Sequence, residues 1–183
     1  MAGMTAEARP TLDVIRWVYA FQSWAGGHIL DAAATLSESE QHRPSVIAGG
    51  HGDGSLFETL AHITGAQETW LSRWEGNQRA ALRGGSDFQD FAAIQRNWLA
   101  VERRLAAFLR LVSQAHLDGT LHYFTTAGVS QALPLGQIAL HVAYHATHHR
   151  AEAAVALTAL GAPPVGLDLL EFMRLPKEIG RRN

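Results

Sequence analysis

The chain has 183 residues, of which 47% are hydrophobic and 17% charged, with a net charge of -2 and no cysteine. This is the size and composition of a single globular domain spanning 1–183, long enough for a sizeable core. A faintly acidic balance with scattered Lys and Arg gives no pull toward nucleic acid or an anionic membrane, and without cysteine there is no disulfide, zinc–thiolate site or thiol nucleophile of its own.

The first ten residues lack the apolar run of a signal peptide, which reads as a cytoplasmic protein. Pro10 and a Thr11 N-cap predict a first helix over about 11–36. Its apolar stripe is Leu12, Ile15, Tyr19, Ile29, Ala33 and Leu36, and Gly26-Gly27 is a place for a kink. The polar, glycine-rich stretch 37–54 reads as a loop. Ser55-Leu-Phe-Glu58 has the form of a capping box, in which the Ser hydroxyl and the Glu carboxylate each take a backbone N–H. It opens a second helix to about Glu75, with Gly76 as its stop.

A third helix is predicted over about 87–115, with Phe91, Ile94, Trp98, Val101, Leu105, Phe108 and Val112 facing inward. β-Branched and aromatic residues at 120–126 and 129–133, around Ala127-Gly128, predict a short hairpin. Pro134 begins the last long helix, which Gly161-Ala-Pro-Pro164 stops near 160, and a small amphipathic piece follows at about 167–173. The fold class is all-α: a four-helix bundle with a short β-hairpin before the last long helix. The interval 119–149 contains no Asp, Glu, Lys or Arg, but Pro134 and five histidines within it argue against a membrane span.

That interval ends in His141-Val-Ala-Tyr-His145-Ala-Thr-His148-His149-Arg150, four imidazoles within nine residues. On a helix His141, His145 and His149 share one side, about 40° apart, together with Ile138, Val142, Ala156 and Leu160. A row of imidazoles on an inward face is costly unless something binds it, and a divalent metal is the economical explanation. His148, about 60° from His145, rivals His149 as its partner. The absence of His-Glu-x-x-His and Glu-x-x-His speaks against zincins and di-iron bundles.

A third ligand must come from elsewhere. His62, beside the apolar stripe of the second helix, is the first candidate and His28, next to Gly26-Gly27, the second. The plainer reading for His28 and for His122 is a hydrogen-bonded side chain, and His42, His51 and His116 in or near loops read as solvated.

Leu60-Ala-His62 together with Leu140-His-Val-Ala-Tyr-His145-Ala-Thr-His-His149-Arg150 resembles the DinB/YfiT-like superfamily. The resemblance covers nearly the whole chain. It implies an up-down-down-up bundle, commonly dimeric, holding zinc or nickel on one histidine of the second helix and two of the last. By position these are His62, His145 and His149, with His141 and His148 as neighbours. Where relatives continue His-Arg-Gly-Gln, this chain places Glu152, one turn beyond His149.

The resemblance further implies a metal-dependent enzyme acting on small molecules, a thiol-dependent S-transferase or a hydrolase, with a low-molecular-weight thiol as cosubstrate. Glu58 and Glu152 are the candidate acid–base residues. Glu58 competes with its capping role, and Glu152 with a surface ion pair. Trp17, Trp24 and Tyr144 are candidates to line a pocket, though core packing is their plainer role. Three-histidine sites suit zinc, nickel, copper or iron. The alternative is a non-catalytic stress- or damage-response protein with a structural ion. Expected partners are a small-molecule substrate and a second copy of the chain, with neither nucleic acid nor membrane.

Overall fold

The structure, a computed structural model, describes residues 9–176. Most of the N-terminal stretch read for a leader therefore lies outside the described residues. Four long helices dominate: α1 (Leu12–Ala33), α3 (Leu56–Trp74), α4 (Phe91–Leu111) and α6 (Leu135–Ala159). Short pieces join them: α2 (Glu38–Gln41), a 3-10 turn (Gly85–Asp87), α5 (Gln114–Asp118), the hairpin β1 (Thr120–Phe124) and β2 (Ser130–Pro134), and α7 (Leu169–Arg174). The strands pair antiparallel, Thr120 opposite Pro134 and Phe124 opposite Ser130. Among the described residues no helix is long and apolar enough to cross a membrane.

Cross-helix contacts fix the direction of each helix. Tyr19 donates to the Ala139 carbonyl and Gln22 to Thr147, so α1 and α6 run parallel. His62 meets His145 while Trp70 meets His141, so α3 and α6 are antiparallel. Asn97 bonds Thr64 and Arg104 bonds Ser72, so α3 and α4 are parallel. The order is up-down-down-up. α6 packs along both α1 and α3, and α3 also packs along α4, whereas α1 and α4 touch little.

Local chemistry sets the ends. Thr11, Ser55 and Asp90 each accept a backbone N–H from the first turn of α1, α3 and α4. The predicted third helix is two elements. Val112 is extended (φ -66°, ψ 140°), and the Ser113 hydroxyl caps a new start at the His116 N–H, 3.2 Å away. The predicted loop 37–54 contains one helical turn, α2, whose Glu40 carboxylate reaches back to the Ser37 N–H at 2.8 Å. Gly26 leaves α1 unbroken. Its role is close approach, since a Cβ there would lie 3.0 Å from the Trp98 ring.

The core falls into two apolar clusters. One gathers Ile15, Tyr19, Leu71, Leu105, Ile138 and Val142 toward the hairpin end. The other gathers Ile29, Leu56, Leu60, Ile94, Trp98 and Leu157 toward the opposite end. A polar layer lies between them. There the buried Arg150 guanidinium bonds the Gln22 side chain and Thr147, and Trp98 donates to Glu102 at 3.0 Å. Burial lowers the pKa of Arg150 to about 10, and it raises that of Glu102. The histidines sit at this level, between α3 and α6.

Candidate metal centre

His62 lies in the middle of α3 on the side that meets α6, and His145 and His149 lie one turn apart on the facing side of α6. The Nε2 atom of His145 is 3.2 Å from that of His62 and 3.2 Å from that of His149. One ring nitrogen carries a single N–H or a single lone pair, so it makes one good hydrogen bond, not two. Two nitrogens competing in this way for the Nε2 of His145 are an arrangement a cation satisfies better than protons do. Two nitrogens bound to one tetrahedral zinc, each at about 2.0–2.1 Å, stand about 3.3 Å apart, close to what is seen here.

Burial and the neighbouring imidazoles reinforce this chemistry. Burial, then the charges of His51, His149 and His145, lowers the pKa of His62 to about 3. Burial, then His149 and His141, lowers that of His145 to about 4. Both rings are therefore neutral near pH 7 and present lone pairs, the form a metal requires.

Glu152 fixes the third ring. Its Oε2 lies 2.7 Å from Nδ1 of His149, and its Oε1 lies 3.1 Å from Nε2 of His148. Burial works to raise the Glu152 pKa, but the His149 hydrogen bond and the surrounding imidazoles outweigh it and hold the carboxylate ionised. An ionised carboxylate only accepts, so Nδ1 of His149 carries the proton and Nε2 turns its lone pair toward His145. The geometry gives Glu152 the task of orienting a candidate ligand.

The capping box predicted at Ser55 is half formed. Ser55 accepts from the Glu58 N–H at 3.2 Å, but the Ser55 N–H goes to Asp53 Oδ1 at 3.0 Å. Glu58 is thereby released from the helix end. Its side chain occupies the space beside Gly52 and Gly85, where a Cβ at Gly52 would come within 2.6 Å of its Cδ and one at Gly85 would collide with its Oε1. The carboxylate borders a pocket of about 250 Å³ lined by His51, Gly52, Glu58, His62, Leu82, Arg83 and Gly84.

His51, expected in solvent, is at the cluster. Its ring stacks on His62 with centroids 3.4 Å apart and planes 15° apart, and meets the edge of His149 at 4.7 Å. One nitrogen each of His51, His62 and His149 fall within 4.8 Å of one another, a set that can hold a metal ion. His148, His149 and Glu152 form a second such set, but there Glu152 already bonds both rings and His148 is exposed. Sequence position alone hides His51. The loop 42–54 folds back over α3 through the bonds Ser45 N–H to Asp53 O (2.8 Å) and Ile47 N–H to Gly54 O (2.9 Å), which no periodicity announces.

The remaining histidines are elsewhere. His141 is exposed, 6.0 Å from the His145 ring and edge-on to Trp70. His28 packs edge-on against Trp24, His42 stacks on Phe57, His116 meets Phe108, and His122 points outward from β1. Trp17 and Trp24 pack with Phe172 of α7, away from the cluster, and Tyr144 is 73% exposed on the outer face of α6. None of the three aromatics lines the pocket by the histidines.

An up-down-down-up bundle that gathers imidazoles from two of its long helices defines a class of helical proteins with a histidine site able to hold a metal ion. The chain belongs to the DinB family, whose model matches residues 10–180. No curated protein matches it.

Proposed function

We propose that the chain is a divalent-metal enzyme acting on small molecules, of the thiol-dependent S-transferase or hydrolase type, with His62, His145 and His149 as ligands. The observation that carries this reading is the pocket that His51, Glu58 and His62 line together, in which Glu58 is not engaged as a cap. An ion held by three neutral imidazoles keeps its full charge and makes a thiol or water brought to it more acidic.

The chain's own groups supply the rest. Glu58 accepts the proton released in the pocket, Glu152 holds His149 in the right tautomer, and Leu82 with the Gly84 backbone shapes the entry. Zinc or nickel suits the all-nitrogen donor set. The lack of any cysteine means that the thiol would be a small external cosubstrate. The same reading carries a cytoplasmic homodimer. Two exposed apolar side chains on the outer face of α6, Tyr144 at 73% and Val155 at 67%, support a second copy as the partner.

A second reading, a structural ion in a non-catalytic protein, is favoured by the fact that the imidazoles come from both α3 and α6, so that an ion would tie the two helices together. The test is a screen of zinc- and nickel-loaded protein with small electrophiles and cellular thiols. The enzyme reading expects metal-dependent turnover that falls about 10²-fold or more in Glu58→Gln while metal content is kept. Absence of turnover with every thiol and with water, in protein that binds its metal, leaves the structural ion.

A further inference from the structure

We propose that His51 is a fourth nitrogen donor of the same centre, closing it at rest and yielding its place to an incoming anionic ligand. This rests on the metal reading above and adds a regulated coordination position to it. Three observations carry it. First, His51 is half-buried, and no hydrogen bond to a described residue holds its ring nitrogens; among the described residues its ring meets the face of His62 and the edge of His149. A half-buried imidazole whose nitrogens bond no described residue keeps a lone pair available to a ligand.

Second, one of those nitrogens lies within 4.8 Å of nitrogens of both His62 and His149. In the stack the in-plane lone pairs of His51 and His62 run side by side, so joining one tetrahedral ion, with donors roughly 3.3 Å apart, takes a rotation of the His51 ring out of the stack by its side-chain torsions. Third, His51 stands at the way in. It lines the pocket together with Glu58 and His62, so a ligand reaching the cluster from that side passes its ring. The loop presenting it is pinned at its base by the Ser45–Asp53 and Ile47–Gly54 backbone bonds, and it turns through left-handed glycines at Gly49, Gly52 and Gly54 (φ 69°, 55° and 75°). The ring thus sits on a tethered tip, whereas His62, His145 and His149 project from long helices. A donor on such a tip can leave and return without disturbing the bundle.

The test compares wild type with His51→Ala, His51→Phe and His62→Ala, using zinc affinity by chelator competition, the visible spectrum of the cobalt-substituted protein, and azide as the anionic probe. Thermal melting of each metal-free variant shows that it folds. The proposal expects Ala and Phe alike to weaken zinc about tenfold, to change the cobalt spectrum toward a site with an open position, and to take azide at least tenfold more tightly than wild type. Phe keeps the stack on His62 but has no nitrogen, so wild-type affinity and spectrum in His51→Phe overturn the proposal in favour of packing. Weakened zinc with unchanged azide affinity overturns the exchange and leaves a fixed fourth ligand. Cobalt and zinc bound by wild type, lost in His62→Ala and unaltered in both His51 variants sink this inference alone. No metal uptake by wild type sinks it together with the metal reading.

Discussion

At the scale of single residues, the histidine cluster works by keeping imidazoles neutral where they would otherwise titrate. His62 and His145 ionise at about 3 and about 4 in the folded chain, chiefly because they are buried, against 6.5 when unperturbed. Above pH ~6.5 both are neutral whether the chain is folded or not, and they leave stability unchanged. Below it the unfolded chain takes up protons that the folded one refuses. Metal-free protein therefore loses stability as pH falls from about 6.5 toward 4, and urea melts at stepped pH will show the midpoint falling across that window. His62→Leu should flatten the slope; an unchanged slope removes His62 as its source. Glu152 is the other residue with a defined task. Glu152→Ala frees the His149 tautomer, and metal affinity measured by chelator competition should drop about 10–100-fold with the fold intact.

Which residues could be read in advance follows from the same physics. Four-residue spacing on a long helix puts His141, His145 and His149 on one face and leaves His148 as a rival, and His62 borders an apolar stripe; the set His62, His145 and His149 is what the family resemblance implies. His51 gives no such signal, since its place depends on how a glycine-rich loop returns over α3. Glu58 reads as a candidate acid–base residue with a competing role as a cap. Ser-x-x-Glu reads as a reciprocal cap, but Asp53, two residues upstream of Ser55, takes the N–H that Glu58 would have taken. The carboxylate is then available to the pocket.

At the scale of elements, the long helices were legible from period and caps, and the hairpin from its β-branched residues around Gly128. The break at Val112 was not. An apolar residue at the right phase continues the stripe in sequence, while the Ser113 cap that ends it carries no periodic signal. The site also depends on one close approach. The loop before the 3-10 turn lies so near α3 that a Cβ at Gly65 would run into the Arg83 carbonyl oxygen. Arg83 is itself held by Glu68 at 3.0 Å and Asn97 at 2.9 Å, so the loop cannot retreat cheaply. Gly65→Ala should cost about 1–3 kcal/mol in chemical denaturation and weaken metal binding by shifting the pocket wall. Wild-type stability in that variant would mean the wall yields freely.

At the scale of the whole molecule, the polar layer of Gln22, Glu102, Thr147 and Arg150 divides the core into two clusters, and the histidines lie at the level of that division. An ion spanning α3 and α6 there would join helices where apolar packing is interrupted. Anything that binds only the folded state stabilises it by mass action, about 2.7 kcal/mol at a hundredfold excess over Kd. For a chain of this length that corresponds to a rise in Tm of about 5–10 °C, reversed by chelator. Zinc or nickel added to metal-free protein should produce that rise in wild type and not in His145→Ala. An equal rise in both would place the binding elsewhere on the surface.

The central claim is that imidazoles from α3 and α6 meet around one cation. Elemental analysis of purified, dialysed wild type beside folded His62→Ala and His145→Ala tests it most directly. About one equivalent of a divalent transition metal per wild-type chain, and near none in either variant, is the predicted result. Wild type as empty as the variants after incubation with zinc or nickel, or variants that keep a full equivalent, would contradict it.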